Sequence, residues 1–175
     1  PYKPANNISL KLTPVFYGFY EGIENLRKKI GQFPAEMLEY LIHEYEGELY
    51  QLDLALGIFF DYLKKNNLFE TSLIFITADH GEGFREHGNL EHNTIYNEII
   101  KVPLIVKFPA EFDLKGKIVK NLVSANIDIA PTINEVIFPE RNIPDFQGKS
   151  LLPYAQYDIP VAENEFVISE MIPYN

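Results

Sequence analysis

The 175-residue sequence contains no cysteine and no tryptophan. Without a thiol, these residues can form no disulfide, no thiolate metal site and no cysteine nucleophile. The lack of cysteine does not assign the protein to an oxidising or a reducing compartment. Metal-binding or catalytic chemistry in this chain must therefore use oxygen and nitrogen side chains.

Positive charge is also scarce, because fifteen Lys and Arg stand against twenty-five Asp and Glu and give a formal net charge of −10. The few cations do not cluster, so the surface should repel polyanions, and we expect no nucleic acid partner. No apolar run approaches the roughly 18 residues needed to cross a bilayer. We expect no membrane contact from this segment, and the compartment stays open.

The opening residues, "PYKPANN", have no initiator Met and read as extended and turn sequence, since their prolines lock φ and remove hydrogen-bond donors. This start shows no secretory signal pattern and predicts that the chain is a fragment of a longer protein. The length lies within the usual range of one domain, so we expect one globular unit.

Apolar residues recur every three to four positions between Pro34 and Asn66, which predicts a helix with one apolar stripe. Pro34 suits the first turn of this helix, and Asn66 followed by Asn67 suits its end. Gly47 predicts a bend or a break. The stripe contains Leu38, Leu41, Ile42, Tyr45, Leu49, Leu52, Leu56, Phe59, Phe60 and Leu63.

Three apolar runs follow the helix, and each is rich in β-branched or aromatic residues. They are "SLIFITA", "VPLIVKFP" and "LVSANIDIA", the last leading into "PTINEVIF". Alternating helices and strands indicate an α/β fold with a mostly parallel sheet flanked by helices. We expect the first two runs to be neighbouring or near-neighbouring parallel strands covered by the 34–66 helix, with Ile74, Ile76, Leu104 and Val106 buried.

Two further predictions concern the end of the chain. The segment "FPERNIPDFQGKSLLPYAQYDIP" is rich in Pro, Gly and Asn and reads as a surface loop. The run "EFVISEM" is a final candidate strand.

The loop "TADHGEGFREHGNLEH" directly follows the first strand and holds three of the four histidines. Ligands collect beyond the carboxyl ends of strands in such sheets, and a glycine-assisted turn can bring Asp79 and His80 onto one divalent cation. Two ligands do not hold a cation, so others must come from elsewhere. His87 and His92 would lie about 140° apart on a helix, which rules out a helical two-histidine site but not convergence in a loop.

Structural roles are the alternative for these residues. An Asp after a strand often caps a helix, and a neighbouring His can simply bond to backbone. Glu82, Arg85 and Glu86 are charged loop residues, and such residues are usually solvated. Glu82 is the best candidate among them for a residue that hydrogen-bonds to a metal ligand. His43 begins a zincin-like pattern that fails, because Gly47 occupies the second histidine position, so His43 is predicted to be a surface or satisfied core residue.

The motif series "LIFITADHGEGFREHG…EHNTIYNEIIKVPLIV" resembles the C-terminal metal-and-substrate segment of the sulfatase branch of the alkaline phosphatase superfamily. That branch reads strand, (T/S)-x-DHGE, EHG, a His or Lys, Y-(N/E)-E and a V-P-L-I-V strand. "YEGELYQLDLALGIFFDYLKKNNLFETS" resembles the family's preceding helix, and "DIAPTI…QGKSLLP" resembles its following segment. The resemblance covers most of residues 45–153 and implies that residues 1–175 are the C-terminal portion of an alkaline phosphatase-like catalytic domain.

The resemblance implies roles for four residues of the loop. Asp79 and His80 would bind a divalent cation, namely Ca²⁺, Mn²⁺, Zn²⁺ or Mg²⁺. His92 would face the substrate and act as the catalytic proton donor, and His87 is a weaker substrate-binding candidate because that family position varies. The remaining acidic ligands and the nucleophile would lie upstream of "PY", so the fragment alone is expected to be inactive.

The predicted function is metal-dependent hydrolysis of sulfate esters of small molecules or glycans. A phosphoryl transferase or phosphoesterase of the same superfamily is one alternative, and a non-catalytic binding module is another. The upstream residues would discriminate these possibilities, because Cys-x-Pro-Ser-Arg indicates a formylglycine sulfatase, Thr or Ser indicates phosphoryl chemistry, and neither indicates a degenerate protein.

Overall fold

The computed structural model describes residues 35–88, 90, 92, 94–120, 122, 126–141, 145–159 and 166–170. These residues fall into two compact units. The first contains residues 35–65 and 80–101, and the second contains residues 66–79 and the described residues from 102 onward. Among the described residues, no helix has the length and apolar character that crossing a membrane requires.

The first unit is built on helix α1, Ala35–Lys65, which confirms the predicted helix to within one residue at its end. Asn67 takes a left-handed conformation with φ of 57°, which the short polar side chain of Asn tolerates and which stops the helix. The expected break at Gly47 is wrong, since the helix runs through this buried residue. One helical glycine costs only about 1 kcal/mol relative to Ala, which a long helix can absorb.

The first two apolar runs form strands β1, Ile74–Thr77, and β2, Leu104–Lys107, but they pair antiparallel instead of parallel. An apolar run carries no information about strand direction, whereas a parallel pair requires a long crossover, usually a helix. The only helix described between these strands is the four-residue α2, Asn97–Ile100. The chain therefore returns alongside β1 in the opposite direction.

The burial predicted for the two strands is only partly observed. Ile74, Ile76, Leu104 and Val106 are of intermediate exposure, and Ile105 is 59% exposed. Covering of these strands by α1 would join the two units and stays a prediction. Lys107 anchors the end of β2, because its ammonium group donates to the backbone carbonyls of Phe69 and Ser72.

The third apolar run is not a strand where it is described. Asn126–Asp128 form a 3₁₀ turn that continues into helix α3, Ile129–Ile137. Pro131 explains the difference, because proline removes a donor from a strand ladder but is tolerated in the first turn of a helix. The final candidate strand is also wrong over its described part, since residues 166–170 form neither helix nor strand.

The segment expected to be a surface loop instead contributes to the core. Leu151 and Leu152 are buried, and Leu152 begins the short helix α4, Leu152–Gln156. The buried Asp128 side chain accepts a 2.8 Å hydrogen bond from the Lys149 backbone N–H. The proline, glycine and asparagine content indicated turns correctly, but it could not show that a buried carboxylate holds those turns inside.

Thr132 completes this attachment. Its hydroxyl is fully buried, donates to the Asp128 carbonyl at 2.6 Å and accepts from the Leu151 N–H at 2.9 Å. Gly148 has no room for a side chain, since a Cβ there would overlap the Ile127 carbonyl oxygen. One hydroxyl thus links the start of α3 to the segment that leads into α4.

Replacing Thr132 with Val should destabilise the protein by about 1–3 kcal/mol, because the Leu151 N–H would be buried without an acceptor. Thr71→Val is the matched control, since the exposed Thr71 hydroxyl donates only to Leu68 in a local turn. The control should change the free energy of unfolding by less than about 0.5 kcal/mol. Urea unfolding measures both, and equal effects would contradict the role given to Thr132.

Candidate functional site

The histidine-rich loop begins where β1 ends. His80 Nδ1 lies 2.8 Å from the Gly81 carbonyl oxygen. A carbonyl can only accept, so Nδ1 carries the proton and Nε2 is the nitrogen with the lone pair. This tautomer suits a metal ligand, because ligating histidines commonly donate their other ring N–H to a carbonyl or carboxylate.

Gly81 holds the loop against α2 by a close backbone approach. Its N–H donates to the Ile99 carbonyl at 2.7 Å, and a Cβ on Gly81 would overlap the Glu98 carbonyl oxygen. Only glycine fits such an approach without displacing the helix backbone. The residue after His80 is therefore tied to a second element of the same unit.

His92 is brought back onto His80 by the loop. The two imidazole rings stack with centroids 4.0 Å apart and planes inclined by 24°. His92 Nδ1 lies 3.4 Å from Glu82 Oε2. The structure thus brings His80, Glu82 and His92 together in a loop.

His87 belongs to a different pair. Its ring stacks on Tyr96 with centroids 3.7 Å apart, and its Nε2 lies 3.5 Å from Glu98 Oε1. The sequence motif contained Tyr96 and Glu98 but gave no reason to assign them a contact with His87. The loop holds two separate imidazole stacks, and its three histidines do not form one cluster.

A small hairpin shapes the loop between these two stacks. Phe84 and Leu90 form an antiparallel bridge, and Glu86 accepts the Phe84 N–H at 2.7 Å. Arg85 has φ of 74° at the turn. The Phe84 ring meets Tyr45 of α1 edge to face, with centroids 5.2 Å apart. The hairpin therefore docks on the long helix through an aromatic pair.

The residues predicted to bind metal, Asp79 and His80, are adjacent in the chain. Both are exposed. Over the described part of the chain, no group of three or more His, Asp or Glu side chains could hold a metal ion. Asp79 and His80 as a ligand pair stays a prediction, which from the outset required further ligands.

His43 is a surface residue of the long helix, as expected once the zincin pattern is rejected. It is exposed on α1, and its Nδ1 is 3.3 Å from Glu46 Oε2 one turn away. The surface role expected for His43 is confirmed.

The described elements are helices and a small two-stranded sheet, as expected for part of an α/β fold. The phosphonate monoester hydrolase SpPMH from Silicibacter pomeroyi superposes with a TM-score of 0.64 at 27% identity, over 75% of this chain and 25% of that one. This likeness confirms the predicted alkaline phosphatase-like fold, present in part.

The Sulfatase family model matches residues 9–137, and the chain belongs to this family. The N-acetylglucosamine-6-O-sulfatase of Bacteroides thetaiotaomicron is 30% identical over 125 residues, 71% of this chain. The multifunctional alkaline phosphatase superfamily protein PehA of Trinickia caryophylli is 33% identical over 113 residues, 63% of this chain. The chain spans only 20% and 21% of the length of these two relatives.

Replacing Gly81 with Ala should destabilise the first unit by about 1–3 kcal/mol, the usual cost of overpacking, because the new methyl group would displace the Glu98 carbonyl. Gly57→Ala is the control, since a Cβ at Gly57 in α1 meets nothing within 4 Å. That change should stabilise the helix by roughly 0.5–1 kcal/mol. Thermal and urea unfolding give both values, and a neutral Gly81→Ala would refute the close approach.

Proposed function

We propose that the complete protein hydrolyses sulfate esters with the help of a divalent cation, and that this chain supplies part of its metal and substrate site. Membership of the sulfatase family supports the reaction class. The observation that carries the assignment to this loop is the stacking of His92 on His80 directly after a strand end. The chain alone should be inactive, because the resemblance assigns the nucleophile to residues upstream.

Asp79 and His80 are the proposed metal ligands. The donor chemistry fits a divalent cation, since one residue offers a carboxylate and the other an imidazole whose Nδ1–H is already held by the Gly81 carbonyl. Bound Ca²⁺, Mn²⁺, Zn²⁺ or Mg²⁺ would stabilise negative charge on the ester oxygens. The net charge of −10 makes this support useful, because an acidic chain otherwise repels a sulfate group.

His92 is the proposed proton donor to the leaving oxygen. As the sulfur–oxygen ester bond breaks, its electron pair stays on the leaving oxygen, which takes the proton from His92 Nε2 and departs as an alcohol or phenol. The sulfuryl group passes to the oxygen nucleophile, and hydrolysis then consumes one water and releases sulfate. A donor at this position stabilises charge that develops only in the transition state.

His87 is the weaker of the two proposed substrate-binding residues, the other being His92. Its ring is half-exposed, with a side-chain exposure of 46%, and it lies between Tyr96 and Glu98. An imidazole in a polar and aromatic setting can donate a hydrogen bond to hydroxyl groups of a sugar or small alcohol. His87 would then affect binding of the organic part of the ester more than bond cleavage.

Phosphoester or phosphonate hydrolysis is the second candidate function. Two similar proteins favour it, namely the multifunctional alkaline phosphatase superfamily protein PehA and the phosphonate monoester hydrolase. Both reactions place negative charge on equatorial and leaving oxygens, so the same loop serves either. Assaying the complete protein with sulfate, phosphate and phosphonate esters of one phenol would decide between them by the ratio of kcat/KM values.

Asp79→Ala should lower the affinity of the complete protein for Mn²⁺ or Zn²⁺ by more than about 10- to 100-fold, the cost of losing even an outer partner of a metal ligand. His80→Ala should do the same, whereas the exposed His43→Ala should leave the affinity unchanged. The isolated chain should bind weakly. Calorimetric titration measures all four, and equal affinity in wild type and Asp79→Ala would reject the ligand assignment.

His92→Ala should lower kcat by about 10²–10⁴-fold for substrates with poor leaving groups, the contribution typical of a general acid. The loss should shrink for nitrophenyl esters, because an oxygen already stable as an anion needs little protonation. Thermal stability should barely change. His87→Ala is the control, and it should raise KM without altering the dependence on the leaving group.

A leaving-group series of aryl esters with wild type and both variants makes this test. If the loss in His92→Ala is the same for good and poor leaving groups, or if the melting temperature falls with it, His92 is a structural residue and the proton-donor role is wrong.

A further inference from the structure

We infer that Glu82 is a positioning residue that holds the His92 ring by its Nδ1–H, so that Nε2, which carries the second proton of the imidazolium form, is directed at the leaving oxygen. This inference rests on the proposed function and extends it to a residue that acts through His92. The contact that supports it is the 3.4 Å approach between Glu82 Oε2 and His92 Nδ1, which are ten residues apart in sequence.

The chemistry of the two groups determines the direction of this hydrogen bond. An ionised carboxylate can only accept, so His92 Nδ1 must carry a proton. Nε2 is then the nitrogen that exchanges its proton with a substrate. A length of 3.4 Å is longer than most hydrogen bonds, but catalytic hydrogen bonds are often long until substrate binds.

The Glu82 carboxylate is itself held in place. Its other oxygen, Oε1, accepts the Gly83 backbone N–H at 3.3 Å. The carboxylate is only 28% exposed, while the His92 side chain is 45% exposed. An acceptor attached to backbone can orient a more exposed ring, because the carboxylate is already ordered and forming the contact costs only the conformational entropy of the ring.

Stacking on His80 supplies a second, independent restraint. The stack limits the tilt of the His92 ring plane, whose inclination to the His80 ring is 24°. The hydrogen bond to Glu82 limits rotation of the ring within that plane. Together the two contacts determine the direction in which Nε2 points, which neither contact does alone.

Glu86, another carboxylate of this loop, has a different partner. Its Oε2 accepts the Phe84 N–H at 2.7 Å within the hairpin. It therefore serves as a matched control, since Glu86→Ala removes one loop carboxylate and one loop hydrogen bond. Effects that come only from loosening the loop or from lost charge should appear in both variants.

The first experiment applies the leaving-group series to Glu82→Ala and Glu86→Ala in the complete protein. Glu82→Ala should lower kcat by about 10- to 100-fold for poor leaving groups, as is typical when the partner of a functional histidine is lost. The loss should diminish for nitrophenyl esters, with KM little changed. Glu82→Gln keeps an oxygen acceptor and should recover much of the activity, while any effect of Glu86→Ala should be uniform along the series.

A double-mutant cycle tests whether Glu82 acts through His92. Glu82→Ala should cost less than about 2-fold when His92 is already Ala, because non-additivity is the mark of a shared interaction. Equal costs in both backgrounds would overturn the inference even where His92 itself behaves as a proton donor. A loss in His92→Ala that ignores the leaving group would overturn both the inference and the proton-donor role.

Two readouts do not depend on activity. Calorimetric titration with Mn²⁺ should give the same affinity for wild type and Glu82→Ala. A loss of affinity as large as that of Asp79→Ala would make Glu82 a metal ligand and overturn the inference. Selective ¹⁵N-histidine labelling, with His92 assigned from His92→Ala, reports which ring nitrogen keeps its proton when the ring is neutral. Nδ1 should be protonated in wild type and the tautomers mixed in Glu82→Ala, and an unchanged spectrum would overturn the inference.

Discussion

The close approach of Gly81 to the backbone of α2 is the constraint on which the arrangement of the histidine loop depends. Because Gly81 has no side chain, its backbone can approach α2 closely enough for its N–H to reach the Ile99 carbonyl at 2.7 Å. This ties the residue after His80 to the helix that carries Glu98, the partner of His87. The two imidazole stacks of the loop therefore share one backbone support.

Hydrogen bonds to backbone also organise the second unit. The buried Asp128 and Thr132 bind the N–H groups of Lys149 and Leu151, and this contact turns a Pro- and Gly-rich segment into part of the core. In both units a polar contact to backbone attaches an irregular segment to a short helix. Such attachments give precise geometry to chain segments that have little secondary structure of their own.

Prediction from sequence succeeded where a local pattern determines structure. The three-to-four residue spacing of α1 and the end of the helix at Asn66 and Asn67 are local properties, and both predictions were confirmed. Prediction failed where contacts with residues distant in sequence determine the structure. The direction of β2 depends on how the chain returns, and the burial of Leu151 depends on the distant Thr132.

The sequence by itself determined the family and the position of the histidine loop after β1, because both follow from the order of motifs along the chain. It also determined which side chains are available for chemistry. Only the tertiary structure decided which histidines meet. His92 stacks on His80 and contacts Glu82, whereas His87 pairs with Tyr96 and Glu98. Sequence spacing could not choose between these pairings, because a loop lacks the fixed period that relates spacing to direction in a helix or strand.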